Sequence, residues 1–311
     1  MVRNLRLSLH AQRARNGRCP RRERMGGEDV IWPLCNDLYE RHASDPLTAP
    51  WFGPSRDHNS RTAKAVKEHV YAFFSAGIGG PHKYKGRSMK VRRPVPADRT
   101  LLQWRLALIP TDRRLQEAHN WKHAKISNAA IHALTNHVLE QMYLHAAGDE
   151  QEREEVLKIL KSLYGDVLSA GIKEFPKASK SLWERLGGED IVRPMCDDLY
   201  NLHASDPLTA PWFGNRTWND RIAAHVKEHV FTFFSSGIGG PHKYAGRSMA
   251  EAHAKMREQK PITEVAFHAL TTHVLIMMER HQAGGEQERE EVLAILQSLK
   301  ADVVFGGTKE L

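Results

Sequence analysis

The chain has 311 residues, enough for two domains of ordinary size, and 41% of them are hydrophobic, enough for a buried core in each. No apolar run approaches the roughly 18 residues that a membrane span needs, so we expect no membrane contact. The formal net charge of +8 is concentrated in residues 1–24 and 90–114, which leaves the remainder mildly acidic and argues against nucleic-acid binding.

Residues 1–24 form a basic leader. The segment from Met1 to Arg22 is rich in arginine and has no acidic residue, as in organelle transit peptides, but Ser8 is its single serine. Two interpretations follow. The leader is a transit peptide that directs the protein to a plastid or mitochondrion, or it is an unstructured extension of a cytoplasmic protein.

Beyond the leader the chain is a tandem repeat, because three segments of the first half recur in the second. The matching pairs are 42–53 with 203–214, 77–84 with 237–244, and 150–157 with 286–293. We therefore predict a first domain over residues 25–170, a linker over 171–181 and a second domain over 182–311.

Both copies show the 3.6-residue period of helices and no convincing strand pattern, which predicts an all-α fold. The second copy has three amphipathic faces. They are Val192, Met195, Cys196 and Leu199; Phe267, Leu270, Val274 and Met277; and Val292, Leu293, Leu296, Leu299 and Val303. Cys35 and Cys196 hold equivalent positions, and we expect both to be small buried thiols rather than disulfide partners.

A capping box starts a short helix in the second copy. Ser248 is followed three residues later by Glu251, which predicts a helix from Met249 onward. His253 shares a face with Met249 and Met256, so we expect its imidazole to point into an apolar interior. It is either a core histidine bonded to a carbonyl or a metal ligand.

A second apolar stripe of helical period lies upstream and is predicted to be buried. Its members are Ile222, Val226, His229, Val230 and Phe233. Two histidines from two apolar helix faces suit a flat ligand with a metal at its centre. His225 and His229 alone would suggest zinc, but Ala65 replaces His225 in the first copy, which argues against that reading.

Five motifs of the second copy, in this order, resemble the truncated (2-on-2) haemoglobins, and most closely their group I. They are Leu186–Asp190, Asp197–Tyr200, Pro211–Phe213, Gly239–Tyr244 and Gly246–His253. The resemblance covers nearly all of residues 182–305. It implies two truncated globin domains in tandem, each a small helical sandwich around haem b, iron protoporphyrin IX.

The resemblance also implies roles for individual residues, in both copies. His253 and His119 correspond to the proximal iron ligand, and His229 and His69 to a distal histidine that ligates iron or donates a hydrogen bond. Tyr200 and Tyr39 correspond to the distal tyrosine, and Phe213 and Phe52 to the phenylalanine on the haem plane. The other residues expected to line the cofactor are Val226, Val230, Tyr244 and Val66.

The function implied by the resemblance is reversible binding of O2, and of NO or CO, at ferrous haem iron. Two alternatives stay open. One is a nitric-oxide dioxygenase supplied by an external electron donor, and the other is a duplicated helical module that acts without haem.

The first copy departs from the pattern after Met89. His119 lies 30 residues beyond Met89, whereas His253 lies four residues beyond Met249. We interpret residues 90–114 as an insertion, either a retained intron read in frame or a long surface loop. Haem binding by the first copy therefore requires that the insertion loop out.

Most of the other recurring histidines are predicted to lie at helix ends or on polar faces, in contact with solvent. The pairs are His42 with His203, His82 with His242, His132 with His268, His137 with His273, and His145 with His281.

Overall fold

A computed structural model of the chain confirms the all-α prediction. Its described parts contain no strand, only an isolated bridge between Ile262 and Val304. None of the helices in these parts is long and apolar enough to cross a membrane. The residues that the structure describes are 21–52, 60–77, 126–167, 180–213 and 220–305.

The described residues fall into two compact units. The first unit takes those within 1–126 and 137–171, and the second takes those within 127–136 and 172–311. The helices of the first copy are α1 (Arg21–Arg24), α2 (Glu28–Ser44), α3 (Ala49–Phe52), α4 (Ser60–Gly77), α5 (Asn128–Leu144) and α6 (Glu150–Val167). In the first unit α2 packs against α3 and α4.

The second copy repeats this order, and in it the structure also describes the capped helix predicted from Met249. Its helices are α7 (Leu182–Arg185), α8 (Glu189–Ser205), α9 (Ala210–Phe213), α10 (Asp220–Gly237), α11 (Met249–Gln259), α12 (Glu264–Arg280), α13 (Glu286–Ser298) and α14 (Lys300–Val303). Helix α8 packs against α9, α10 and α12, and α11 packs against α14.

A pair of glycines makes the turn that begins α8. Gly187 and Gly188 have φ values of 100° and 70°, in the left-handed region that favours glycine. A Cβ atom on Gly187 would also lie 2.7 Å from a side-chain carbon of Ile191. Gly26 and Gly27 make the same turn before α2, with φ values of 92° and 73°.

The amphipathic face predicted for α8 is confirmed, because its four members are all buried. Cys35 and Cys196 are free, buried thiols, as expected. Burial raises the pKa of each thiol to about 12, so both stay protonated and unreactive at neutral pH.

Helix α12 is central to the second unit. Of the residues from Val265 to Met278, all but Leu270 are buried. The sequence therefore underestimates how much of α12 is buried, because the sides of the helix outside the predicted face are buried as well. Two of these buried residues, His268 and His273, were expected to contact solvent.

Candidate functional site

Helix α11 presents His253 between two methionines that anchor the helix. The hydroxyl of Ser248 accepts from the Glu251 N–H at 3.3 Å, and the Glu251 carboxylate accepts from the Ser248 N–H at 2.9 Å, which confirms the capping box. Met249 and Met256 pack on an apolar cluster of the unit. The buried members of that cluster are Ile262, Ala266, Phe267 and Val303.

A corner residue also ties this cluster to the end of α11. The indole N–H of Trp212 donates to the Lys260 carbonyl at 3.0 Å, and the Trp212 ring packs on the same cluster. Trp212 immediately precedes Phe213 in α9, so the contact links the corner that carries Phe213 to the helix that carries His253.

The hydrogen bond of His253 defines what its imidazole can do. Its Nδ1 atom lies 2.8 Å from the Met249 carbonyl oxygen, and because a carbonyl only accepts, Nδ1 carries the proton. In the neutral ring Nε2 is then left with a free lone pair, the form in which histidine ligates metals. The side chain is half-buried rather than turned into a fully apolar interior.

The prediction that the α10 stripe is buried is wrong. Ile222 is 39% exposed and His229 is exposed, while Val226, Val230 and Phe233 are half-buried. The physical reason is the orientation of the helix. Its buried face carries instead Phe231, Phe234, Ser235 and Ile238. The stripe lies beside that face and forms a partly open apolar wall.

Aromatic contacts surround His229 on this wall. Its ring centroid lies 4.4 Å from that of His225 and 6.0 Å from that of Tyr244. The Tyr244 ring in turn lies 5.2 Å from Phe233. Two residues predicted to share the site from separate segments, His229 and Tyr244, therefore lie in one aromatic group.

Tyr200 lies on α8 and is buried, with its ring centroid 6.3 Å from that of Phe213. The ammonium group of Lys227 lies 5.4 Å from the tyrosine ring. Burial raises the pKa of the Tyr200 phenol, so its hydroxyl remains a hydrogen-bond donor at neutral pH. The structure thus groups the predicted distal tyrosine with the predicted haem-plane phenylalanine.

The first copy places its equivalent residues in a similar way. Tyr39 and Val66 are buried, Phe52 is half-buried and His69 is exposed. The Lys67 ammonium lies 5.2 Å from the Tyr39 ring, as Lys227 does from Tyr200. His119 and the insertion at 90–114 lie outside the described residues.

Sequence reasoning missed a set of buried histidines, and its prediction that they contact solvent is wrong. His42 is 6% exposed, His203 4%, His132 7%, His268 1%, His137 0% and His273 1%. A signal for this was present, because α12 has no charged residue between Glu264 and Glu279. A helix without a polar face is buried all round, and so are its histidines.

The donor set fits a haem. A half-buried imidazole carries a proton on Nδ1, where it meets a carbonyl, an apolar helix wall is partly open, and a buried tyrosine lies beside a half-buried phenylalanine. An all-helical chain in which a capped helix presents that imidazole has the features expected of a globin.

The bacterial-like globin family matches residues 22–101 and 181–305, roughly two thirds of the chain, so the chain belongs to that family. Membership implies a haem cofactor and small gas ligands such as O2. The first matched segment ends at residue 101, inside the predicted insertion, whereas the second runs without a break.

The chain is also similar to group 1 truncated hemoglobins. The chain is 29% identical over 94 residues to group 1 truncated hemoglobins of Nostoc sp. (strain MUN 8820) and Nostoc commune, which covers 30% of this chain and 72% of each relative. It is also 29% identical over 98 residues to a group 1 truncated hemoglobin of Chlamydomonas moewusii, covering 32% of this chain and 53% of that protein.

Proposed function

We propose that the second copy binds haem b, with Nε2 of His253 as the proximal ligand, and takes up O2 reversibly. The observation that supports this proposal most directly is the bond from His253 Nδ1 to the Met249 carbonyl. It fixes the tautomer and leaves Nε2 as the ligating atom. When bound, haem would supply a ferrous iron able to take up O2, NO or CO.

The remaining residues would hold the cofactor and exclude water from it. Phe213 would pack on the cofactor plane, and Val226 and Val230 would contribute the apolar wall of α10. Tyr244 would close the wall beside His229, which its ring already faces. Burial of apolar surface is the main source of affinity for a flat hydrophobic cofactor.

Tyr200 would donate a hydrogen bond to a polar gas ligand on the distal side. Hydrogen bonds to charged acceptors contribute about 1.5–3 kcal/mol, and each 1.4 kcal/mol corresponds to about tenfold in an equilibrium constant. Such a bond would therefore retain O2 about ten- to a hundredfold longer, which suits storage, sensing or oxygen chemistry better than rapid transport.

The hydroxyl of Tyr200 can be tested by itself. Tyr200→Phe should raise the O2 dissociation rate of the second copy by about ten- to a hundredfold, measured by flash photolysis. Tyr71→Phe is the matched control, because its hydroxyl donates at 2.6 Å to Glu28 instead. An unchanged O2 dissociation rate in Tyr200→Phe would contradict the assigned role.

His229 and His69 would ligate iron from the distal side when no gas is bound. The affinity for an external ligand is then reduced by the fraction of time that the site is open. Ferric protein should show a low-spin, six-coordinate spectrum that becomes high-spin in a His69→Leu, His229→Leu variant. His225→Leu is the control and should stay low-spin, since its ring is a close neighbour of His229 but is not a proposed ligand. A high-spin wild-type spectrum would contradict this part of the proposal.

The first copy would bind haem in the same way, with His119 as its proximal ligand. Tyr39, Phe52 and Val66 would take the places of Tyr200, Phe213 and Val226. Because the insertion separates Met89 from His119, this half of the proposal depends on a segment that the second copy lacks.

A further inference from the structure

Three side chains form a buried chain of hydrogen bonds in the second unit. His203 and His273 face each other through their Nδ1 atoms at 2.8 Å, and His273 Nε2 lies 2.9 Å from a carboxylate oxygen of Asp206. Asp206 is 8% exposed, His203 4% and His273 1%. We call this set the relay.

The first copy contains the same relay, atom for atom. His42 and His137 face each other through Nδ1 at 2.9 Å, and His137 Nε2 lies 3.3 Å from a carboxylate oxygen of Asp45. All three side chains are buried. A contact between two buried imidazole nitrogens that occurs in both copies is a property of the fold and not an accident of one copy.

The polarity of the relay follows from its ends. Burial lowers the pKa of His203 well below its ordinary value, with the neighbouring His273 adding to the effect, so His203 is neutral. A carboxylate accepts only, so Asp206 receives the Nε2–H of His273. In the first copy burial lowers the pKa of His137 as well as that of His42, so both rings are neutral. His137 therefore offers a lone pair at Nδ1 and His42 donates its Nδ1–H to it, and we infer the same direction in the second copy, which repeats the same atoms.

The carboxylate of Asp206 also shapes the corner that leads to Phe213. Its other oxygen accepts from the Leu208 N–H at 2.7 Å, and the Thr209 hydroxyl donates to the His203 carbonyl at 2.7 Å. One acidic side chain thus fixes both the end of the relay and the turn between α8 and α9.

The other end of the relay supports Phe213. The His203 ring centroid lies 4.8 Å from that of Phe213, with 39° between the ring planes. In the first copy His42 and Phe52 repeat this contact at 4.8 Å and 41°. The imidazole whose orientation the relay fixes is therefore the one that the phenylalanine packs against.

We propose that Asp206, His273 and His203 are positioning residues that hold the Phe213 ring in place, and that Asp45, His137 and His42 do so for Phe52. The inference rests on the proposed function, because it assigns the held ring to the face of a haem. The relay would act through Phe213 and would not touch the cofactor itself.

The test compares two substitutions in the full-length protein, made in both copies so that every haem is affected alike. His42→Leu with His203→Leu removes the donor and the ring, whereas His42→Asn with His203→Asn keeps a donor at the Nδ1 position. We expect the leucine variant to release haem about three- to tenfold faster, with a shifted Soret band. The asparagine variant should recover part of the wild-type rate.

Buried histidines on the same helices, outside the relay, supply the control. His132→Leu with His268→Leu removes a stacked pair whose rings lie 4.8 Å apart and that belongs to neither relay. This variant should lose stability yet keep the wild-type haem release rate and Soret band. If both leucine variants release haem at the same rate, the relay is merely structural and the inference is overturned.

The relay can also be tested without haem, which separates it from the proposed function. In haem-free protein, nitrogen NMR should show His203 and His42 protonated at Nδ1 and His273 and His137 protonated at Nε2. The opposite tautomers would overturn the inference even if haem binds. A wild-type protein with these tautomers that takes up no haem would instead overturn the proposed function.

Discussion

The two copies share the corner after their first long helix and differ in the segment that leads to the proposed proximal histidine. The contrast separates the residues that support the fold from those proposed to bind the cofactor. The corner at 42–53 is identical in sequence to that at 203–214, and both build the same relay. The segment after the corner and its following helix is continuous in the second copy, where it forms α11, but is interrupted by residues 90–114 in the first.

The shared region shows that the corner is held by its own side chains together with one histidine from a later helix, His137 or His273. The relay, the Thr48 hydroxyl bond to the His42 carbonyl at 2.6 Å and the Leu47 bond to Asp45 at 2.8 Å all recur in the second copy. None of these contacts involves the interrupted segment. The corner is thus common to both copies, whereas the sequence that leads to the proposed proximal histidine differs between them.

The largest expected effect tests whether the two cores are equivalent. Leu34 and Met195 hold matching positions, and both are fully buried. Truncating either to alanine removes buried carbon atoms and leaves a cavity, which costs about 2–5 kcal/mol. Hydrogen exchange resolved by peptide would measure the free energy of unfolding in each copy. If the free energy of unfolding of one copy fell by less than about 1 kcal/mol, the two cores would not be equivalent.

The next effect is on the pH dependence of stability. Burial lowers the pKa of His42 and of His203 well below the ordinary value, so the folded protein keeps both neutral. The unfolded chain binds protons below about pH 6.5, and stability must therefore fall as the pH drops from there. The slope is at most about 1.4 kcal/mol per pH unit for each histidine.

Urea denaturation between pH 7 and 5 measures this slope. His42→Asn and His203→Asn, made as two single variants, should each flatten it, because asparagine does not titrate. If only one substitution flattens the slope, the two relays differ in their coupling to solvent. An acid slope that both variants leave unchanged would mean that neither histidine is held neutral.

The smallest expected effect concerns a partly exposed position at which the two copies differ, on α2 in the first and α8 in the second. Arg193 lies 3.7 Å from the Phe231 ring centroid and pairs with Glu189 and Glu228 at 3.0 and 2.8 Å. Its equivalent, Trp32, meets Tyr71 edge-on at 4.7 Å. The charged contact is screened by salt, whereas the apolar contact is not.

Arg193→Ala should cost about 0.5–1 kcal/mol at low salt, since its side chain is partly exposed and the ion pairs contribute little. Most of the ion-pair part should disappear in 1 M salt. Trp32→Ala should show the same loss of stability at both salt concentrations. A salt-independent loss for Arg193→Ala would assign its contribution to packing alone.

Much of the fold follows directly from the sequence. The all-α class, the capping box at Ser248 and the buried face of α8 depend on local patterns that the structure confirms. The orientation of α10 does not, because it depends on which of two adjacent apolar faces meets α8. Phe231 and Phe234 compete with the stripe containing Val226 and Val230, and only tertiary packing decides between them.

The relay cannot be predicted from the sequence, for a different reason. His203 and Asp206 lie at the end of α8, whereas His273 lies far along the chain on α12, and a histidine counts as polar in any periodicity argument. The absence of charge between Glu264 and Glu279 indicates burial, but it does not show which partners would satisfy the buried ring nitrogens. Pairing of this kind requires the three-dimensional contact.

The measurement that tests the central claim most directly is haem content per chain in His253→Gly, made in a His229→Leu background so that the distal histidine cannot hold the cofactor alone. We expect one haem fewer per chain than in the His229→Leu parent, and recovery of that haem on adding free imidazole. His281→Gly, which removes a half-buried histidine paired with Asp198 at 2.9 Å, should retain the parent content. A full haem content in His253→Gly without imidazole would contradict the account.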